Sequence, residues 1–272
     1  MIKKIISGGQ TGADRAALDA AIELGISHGG WVPKGRIAED GPISDKYRLK
    51  EMLTDSYPKR TEQNVIDSDG TLIISHGKLT GGSAYMRKMA MKHDKPWFHA
   101  DLNKLPTFQV AKIIEEWISR NQIEALNIAG PRSSEDSSIY GLVTVIIELV
   151  FTLVTAKDDK AEPSYDVRKT DKPESIDQPK TVDEAVNFLI HKLSLKDKSV
   201  LAKMPEDDLN NLYFSFGLYI RNRLLYPRND KLLESCRQEA MDKHLHWDQA
   251  PVVIIEKLWK HLKKTHRLKI VK

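Results

Sequence analysis

The first 24 residues, MIKKIISGGQTGADRAALDAAIEL, decide the fold of this chain. A β-branched run from Lys3 to Ser7 predicts a short buried strand, and alanines at three- and four-residue spacing predict a helix over 13–24. The same alternation continues, with strand-like runs at 31–32, 71–75, 96–100 and 126–129 and helical patterns at 81–92, 108–120 and 139–155. Strands that alternate with helices indicate βαβ units. We therefore predict an α/β fold, with a parallel sheet covered by helices on both faces.

The composition is that of a globular protein, with 272 residues, 40% of them hydrophobic and 29% charged. It excludes disordered, collagenous and membrane-embedded classes, and the net charge of +4 is too small to identify a nucleic-acid binder. The single cysteine, Cys236, precludes an intramolecular disulfide and favours a reducing compartment. The N-terminus lacks the apolar stretch of a secretion signal, and the most apolar run, 142–154, is shorter than the ~20 residues of a membrane span. We therefore expect a cytoplasmic protein without membrane association.

A charged segment divides the chain. Residues 158–180, DDKAEPSYDVRKTDKPESIDQPK, contain three prolines and almost no side chain to bury, which is typical of a linker. We predict an α/β domain over 1–157 and a small all-helical domain over 181–272. In the helical domain, apolar stripes predict four helices, which begin near Thr181, Leu209, Asp230 and Asp248. Thr181 and Glu184 form a predicted capping box, and Asp248 is the predicted cap of the last helix. Tyr213 and Phe216 are expected in the core.

The second domain is basic, with 17 basic and 12 acidic residues over 181–272. Arg221, Arg223 and Arg228 stand beside tyrosines, and the C-terminal tail has seven basic residues, at positions 257, 260, 263, 264, 267, 269 and 272. This pattern is compatible with binding of a nucleic acid or a protein partner, or with a solvated helix face. Both interpretations stay open.

Three glycine-bearing turns connect predicted strands to predicted helices. They are Gly8-Gly9-Gln10-Thr11-Gly12, Gly81-Gly82-Ser83 and Gly130-Pro131-Arg132-Ser133. Glycine lets a ligand approach the backbone, and the free N–H groups and positive dipole end of a helix favour an anion. Thr11 and Ser83 add hydroxyl groups, and Arg132 adds a guanidinium that suits phosphate. Because ligands of α/β sheets bind beyond the carboxyl ends of the strands, we predict that these turns converge on one anionic ligand.

Several charged residues near the first turn allow two interpretations. Asp14 either stabilises the start of its helix or accepts hydrogen bonds from ribose hydroxyls, while Arg15 offsets its charge. The segment GRIAEDGPI, 35–43, either forms a wall of the pocket, with Lys34 and Arg36 reaching the anion, or is a solvated surface loop. Asp67 and Asp69, by contrast, precede a strand at the opposite edge, where turn formation is the expected role.

Common catalytic and metal-binding motifs do not match. SGGQTGADR is neither GxGxxG nor a Walker P-loop, which disfavours a nicotinamide dehydrogenase or a P-loop NTPase. The sequence has no GxSxG elbow and no CxxC or HxxxH spacing. We therefore predict neither a serine hydrolase nor a transition metal held by protein side chains.

The ordered strings SGGQTGADRAALDAA, GWVPKGRIAEDGPI, Arg60-Thr61 with Asn64-Val65, SDGTLIIS, TGGS and IAGPRSS resemble the putative molybdenum carrier family over residues 1–155. That family belongs to the Rossmann-like group that includes cytokinin-activating phosphoribohydrolases and DNA-processing proteins. The resemblance implies a Rossmann-like fold with a nucleotide-type or oxyanion pocket, and a nucleotide or molybdenum cofactor as ligand. Its glycine loops map onto Gly8, Gly9, Thr11, Gly12, Gly81, Gly82, Ser83, Gly130 and Arg132. The C-terminal part resembles helical domains appended to other bacterial modules.

The hydrolytic relatives carry a PGGxGTxxE motif from which this chain departs. When the motif is aligned on Gly81-Gly82, its threonine falls at Tyr85 and its glutamate at Lys88. We therefore assign no catalytic residue and favour a binding protein or sensor for a phosphate-bearing ligand, expected as a homo-oligomer. A phosphoribohydrolase-type enzyme using Asp14, Glu39 or Asp40 is one alternative. A nucleic-acid-associated protein acting through 181–272 is the other.

Overall fold

The computed structural model describes residues 2–157, 178–212, 216–226 and 228–266. The chain divides into two compact units, Met1–Tyr165 and Asp166–Lys272. Most of the predicted linker, 158–177, lies outside the described residues, as do Tyr213 and the basic positions 267, 269 and 272. The limits 1–157 and 181–272 therefore stay predictions.

The N-terminal unit alternates strands and helices. In chain order its elements are β1 (Lys4–Ile6), α1 (Ala13–Glu23), β2 (Ser27–Gly29), β3 (Trp31–Val32), β4 (Ile37–Ala38), β5 (Gly41–Pro42), β6 (Lys50–Glu51), α2 (Tyr57–Ile66), β7 (Gly70–Ser75), α3 (Gly81–Lys92), β8 (Trp97–Asp101), α4 (Thr107–Arg120), β9 (Ala125–Ala129) and α5 (Ile139–Lys157). Five of the strands form one parallel sheet in the order β2-β1-β9-β7-β8. The predicted parallel sheet is confirmed.

The direction of the crossovers reverses within this sheet. From β1 the chain crosses through α1 to β2 on one side, whereas from β7 it crosses through α3 to β8 on the other. Because such connections are right-handed, the reversal places α1 and α3 on opposite faces. α1 and α4 pack on α5, whereas α2 packs on α3. The helices thus cover both faces, and the reversal lies at β1, β9 and β7.

Residue size explains the tight packing of these layers. All six residues of β7 are buried, as expected of a strand covered on both faces. The inner face of α1 consists of small side chains that are fully buried, namely Ala13, Ala16, Ala17, Ala20 and Ala21. Alanine at these positions lets α1 approach the sheet closely, which fixes where the preceding loop lies.

Short strands outside the main sheet form two small ladders. β3 pairs with β6 in parallel, and β4 pairs with β5 as an antiparallel hairpin. The predicted strand at Trp31-Val32 is present, although it lies outside the main sheet. The Trp31 amide donates to the side-chain oxygen of Asn64 on α2 at 2.7 Å. At the amino edge of the main sheet, Asp69 accepts the amide of Ala125 at 2.7 Å, and Asp67 accepts the Trp31 indole N–H at 2.7 Å. Both aspartates lie in the turn between α2 and β7 that the sequence predicts, but it does not predict these tertiary hydrogen bonds.

The C-terminal unit is helical in its described part. Its elements are α6 (Val182–Lys192), α7 (Leu195–Lys203), a 3-10 helix (Glu206–Leu212), α8 (Leu218–Ile220) with a π-helical turn (Arg221–Leu225), α9 (Asp230–Ala240) and α10 (Ala250–Thr265). α10 packs on α6, α7 and α9. The single cysteine, Cys236, is fully buried on α9, and this burial raises the pKa of its thiol to about 12.

Two predictions for this unit need correction. Within the described residues, the helix predicted from Leu209 to Leu224 is not one α-helix. Residues 206–212 form a 3-10 helix and 216–225 combine π-helical turns with the short α8, while 213–215 lie outside the described residues. Asp248 does not cap α10, because its carboxylate accepts Arg221 Nη1 at 2.7 Å and Gln249 takes the cap position. Thr181 caps α6 by accepting the Glu184 amide at 3.2 Å, but only this half of the predicted capping box forms, because the Glu184 carboxylate accepts the Lys180 amide at 2.6 Å.

Candidate ligand-binding site

Three loops leave adjacent strands at the carboxyl edge of the sheet. We call them loop A (8–12, after β1), loop B (76–83, after β7) and loop C (130–136, after β9). Because β1, β9 and β7 are parallel neighbours, the loops emerge side by side at one edge. Loops A and B lead into the N-termini of α1 and α3, where free amide groups favour an anion.

Loops A and C are in direct contact. The Thr11 hydroxyl accepts the Ser133 amide at 3.1 Å, and the Pro131 carbonyl accepts the Ala13 amide at 3.2 Å. Gly12 has a φ of +75°, and a Cβ atom there would lie 2.5 Å from the Pro131 carbonyl oxygen. Glycine at this position is therefore required by the contact between the two loops.

Loops B and C are joined by a hydrogen bond between two side chains. Asp136 Oδ2 lies 2.6 Å from His76 Nδ1, and its other carboxylate oxygen accepts the Ser138 hydroxyl at 2.7 Å. Burial alone raises the pKa of Asp136, but the hydrogen bonds from His76 and Ser138 outweigh it and place the pKa below its usual value. The amide of Gly77 is held by Asp101, at the end of β8, at 2.8 Å.

The loop glycines fall into two groups. At Gly8, Gly9 and Gly130 the protein itself occupies the space of a Cβ atom, through Arg60, Leu49 and the Ile74 carbonyl. Gly81 and Gly82 are exposed, and nothing lies within 4 Å of a Cβ atom built on either. Open backbone for a ligand is therefore offered by the Gly81-Gly82-Ser83 turn, whereas Gly8, Gly9, Gly12 and Gly130 make room for the chain.

A buried ion pair lies beneath loop A. The side chains of Asp14 and Arg60 are 8% and 7% exposed, and Arg60 Nη1 lies 3.7 Å from Asp14 Oδ2. Burial raises the pKa of Asp14, and Arg60 opposes this rise. Asp14 also accepts the Gln10 amide at 3.3 Å, so it holds loop A from inside. The sequence signalled Arg60 only through the family string Arg60-Thr61.

The β4–β5 hairpin folds onto loops A and C. Its two-residue tip is Glu39 and Asp40. The Glu39 carboxylate accepts hydrogen bonds from the Thr11 hydroxyl and from both the amide (3.2 Å) and the hydroxyl (2.5 Å) of Ser134. These hydrogen bonds, first from Ser134 and then from Thr11, hold the pKa of Glu39 below its usual value.

Three of the four predicted cations of the site, Arg15, Arg36 and Arg132, are engaged within the protein. Arg15 forms a two-pronged ion pair with Asp40, with Nη2 at 2.7 Å from Oδ1. Arg36 donates to four backbone carbonyls, those of residues 43, 44, 47 and 49, and so fastens the base of the hairpin. Arg132 Nε lies 3.8 Å from Glu39 and 3.4 Å from Glu135. Lys34 is exposed, and its amide donates to the Thr54 carbonyl.

The remaining predicted residues lie at the same edge. The Gln10 side-chain oxygen accepts the amides of Thr11 (3.0 Å) and Glu39 (2.9 Å), which links loop A to the hairpin. Ser83 is half-buried in the first turn of α3. In the part of the chain that the structure describes, no group of three or more His, Cys, Asp or Glu side chains is arranged to hold a metal ion.

The circularly permutated YpsA SLOG family matches residues 5–151, more than half of the chain. The chain belongs to this family. The match spans the sheet and all three loops, and it confirms the Rossmann-like fold inferred from the motifs. A second family, a domain of unknown function designated DUF6794, matches residues 178–262 and so covers the helical unit.

A solved structure is similar to the SLOG part of the chain. It is the crystal structure of a putative molybdenum carrier protein from Syntrophus aciditrophicus, with 54% sequence identity and a TM-score of 0.54. The alignment covers 55% of this chain and 94% of the other. Comparison with curated proteins finds no significant match. Within the described residues, no helix has the length and apolar character needed to cross a membrane.

Proposed function

We propose that the SLOG unit binds a small anionic ligand, a phosphate-bearing nucleotide-type molecule or a related oxyanion, across loops A, B and C. The observation that carries this proposal is the delivery of three loops to one edge at the point where the crossovers reverse. Family membership and the similarity to a molybdenum carrier support a ligand-binding role.

Loop B provides the open part of the proposed site. The first turn of α3 contains no acidic residue, and its N-cap residue, Thr80, makes no side-chain cap. Gly81 and Gly82 leave the backbone accessible, and Ser83 adds a hydroxyl group. An oxyanion placed here would receive amide hydrogen bonds and the favourable end of the helix dipole.

Loops A and C provide the second part of the proposed site. Four predicted residues with polar side chains belong to this part, namely Gln10, Thr11, Arg132 and Ser133. Arg132 is exposed, whereas Thr11 is buried and its hydroxyl is hydrogen-bonded to Glu39. Gly8, Gly9, Gly12, Gly130, Asp14, Arg15 and Arg36 build and hold the loops, so we assign them a structural role rather than ligand contact. Lys34 stays a prediction.

The donors fit both ligand classes that the sequence resemblance implies. Molybdate is an oxyanion, and the molybdenum cofactor carries a phosphate group, as nucleotides do. Hydroxyl, amide and guanidinium groups suit each of these anions. The proposal therefore names an oxyanion group as the part of the ligand that is bound. Titration with separate probes distinguishes molybdate from phosphate and nucleotides.

The test compares two glycine-to-alanine variants of the full-length chain. Gly82 and Gly141 lie in the first turns of α3 and α5, and neither would bring a Cβ atom within 4 Å of another part of the protein. Each substitution should leave stability unchanged or raise it by up to about 1 kcal/mol. Gly82→Ala should weaken the binding of orthophosphate, molybdate, AMP or ADP-ribose about tenfold, whereas Gly141→Ala should not.

Calorimetric titration of the four probes measures the affinities, and thermal shifts give an independent reading. Equal affinities for Gly82→Ala and the wild type would remove loop B from the site. Failure of all four probes to bind the wild type at millimolar concentration would overturn the proposal.

The alternatives receive less support. Lys88, at the position of the hydrolase glutamate, is exposed on α3, so we do not extend the proposal to hydrolysis. In the helical unit, Arg221 pairs with Asp248 and Lys257 with Glu239, which lowers the free positive charge for a nucleic acid. A nucleic-acid or protein partner for 181–272, a homo-oligomer and a cytoplasmic location stay predictions.

A further inference from the structure

A carboxylate of the protein already occupies oxyanion donors in the proposed site. Glu39 Oε1 accepts the Thr11 hydroxyl and the Ser134 amide, while Oε2 accepts the Ser134 hydroxyl at 2.5 Å. The Arg132 guanidinium stands 3.8 Å away. Two hydroxyls, one amide and one guanidinium are the donor set that proteins use for phosphate and similar oxyanions. Ser134, which the sequence signalled only through the family string IAGPRSS, belongs to this set.

The hairpin that carries Glu39 has a fixed base and a polar tip. At its base, Ala38 is buried in an apolar cluster with Leu18 and Val32, and Arg36 binds four carbonyls. At its tip, Glu39 and Asp40 rest on loops A and C through hydrogen bonds and ion pairs. Polar contacts exchange readily with water or with a ligand, so the tip can leave while the base stays in place.

We propose that Thr11, Ser134 and Arg132 form an oxyanion subsite, and that the Glu39 carboxylate fills it until an anionic ligand displaces the hairpin tip. This inference rests on the proposed function, because it names one subsite of the same site. The ligand group is a phosphate or an equivalent tetrahedral oxyanion. It replaces Glu39 on the same donors, and the hairpin then opens.

Displacement has a measurable consequence for affinity. A ligand that binds only the open hairpin has its apparent affinity reduced by the fraction of molecules that are open. If the hairpin is open in one molecule in ten or fewer, removal of the competing carboxylate tightens binding about tenfold or more.

The experiment measures orthophosphate, molybdate and AMP affinity by calorimetry, with full-length wild type, Glu39→Ala and Glu135→Ala. Glu135 is a matched control, because it also pairs with Arg132 but, in the part of the chain that the structure describes, makes no hydrogen bond to Thr11 or Ser134. Glu39→Ala should bind at least one probe about tenfold more tightly than the wild type. Glu135→Ala should change the affinity less than threefold, and Glu39→Ala/Ser134→Ala should lose the gain.

Each outcome decides a separate question. If the wild type binds a probe and Glu39→Ala binds it no more tightly, the subsite inference is wrong while the proposed function stands. If Glu135→Ala tightens binding as much as Glu39→Ala, the effect is one of net charge, and the inference is also wrong. If no variant binds any probe, both proposals fail. Should Glu39→Ala not fold, Glu39→Gln keeps the side-chain size and removes the competing charge.

Discussion

Replacement of Gly12 by alanine tests the packing on which the site is built. Gly12 has φ +75° and ψ −126°, a conformation that residues with a side chain adopt only with strain of about 1–3 kcal/mol. The new Cβ would also lie 2.5 Å from the Pro131 carbonyl oxygen and 2.8 Å from the Ser133 nitrogen. These are backbone atoms, so loop C must shift, and such overpacking costs about 1–3 kcal/mol. We expect a loss of about 2–6 kcal/mol, a large part of the ~5–15 kcal/mol that stabilises a typical domain.

Gly25→Ala is the matched control for this variant. Gly25 also has a positive φ, +66°, but nothing lies within 4 Å of its Cβ position. Gly25→Ala should therefore lower the free energy of unfolding only through backbone strain. The net loss is about 1 kcal/mol, because alanine also reduces the conformational entropy of the unfolded chain. The difference between the two variants isolates the contact between loops A and C.

Native-state hydrogen exchange of the full-length chain is the appropriate assay, because a chain with two units does not unfold as one two-state system. A loss of ~2 kcal/mol, the lower limit expected, corresponds to a factor of about thirty in the opening equilibrium. The amides of β1 and β9 should therefore exchange at least about thirtyfold faster in Gly12→Ala. If Gly12→Ala were no less stable than Gly25→Ala, loops A and C would not be packed as described.

Two further predictions concern local contacts. Ser194 and Asp197 form a reciprocal capping box at the start of α7. Ser194→Ala should therefore destabilise α7 by about 1 kcal/mol, measured as faster hydrogen exchange of the α7 amides. An unchanged exchange rate would contradict the cap. The folded state lowers the pKa of Asp136. The hydrogen bond to His76 should therefore stabilise the protein fully above about pH 3.9, the usual pKa of an aspartate. This stabilisation should be lost as the pH falls through the lower pKa of the folded state. A carbon NMR titration of Asp136 with a midpoint at or above the usual value would refute this assignment, and Asp136→Asn should abolish the pH dependence.

Periodicity predicted the large elements because their residues repeat the pattern of the fold. The alanines of α1 recur at three- and four-residue spacing, and β7 is a short continuous apolar run, as expected of a strand covered on both faces. The sequence therefore predicts both elements within one or two residues of their observed bounds. Two or three residues are too few to show a period, so the sequence does not predict β2 and β4. It predicts the equally short β1 and β3 only from their β-branched and aromatic residues.

The candidate site was only partly predictable for a related reason. The order of strands and glycine turns predicts that loops A, B and C meet at one edge. The partner of each charged group, however, comes from a distant part of the sequence, as for Glu39 with Ser134 and Asp14 with Arg60. The same holds for Gly8, whose missing side chain leaves room for Arg60. Such pairings depend on tertiary geometry, which no local pattern encodes.

The central position of the last strand constrains how this unit folds. β9 is inserted between β1 and β7, so Ile5 at the start of the chain pairs with Leu126. Contacts between residues so far apart in sequence are slow to form, because a long loop must close before any stabilisation is gained. During synthesis, β1–β2 and β7–β8 emerge as two separate pairs with unpaired edges, and only residues 125–129 join them. We therefore expect the unit to complete its sheet late, and fragments that end before Ala125 to aggregate through those edges.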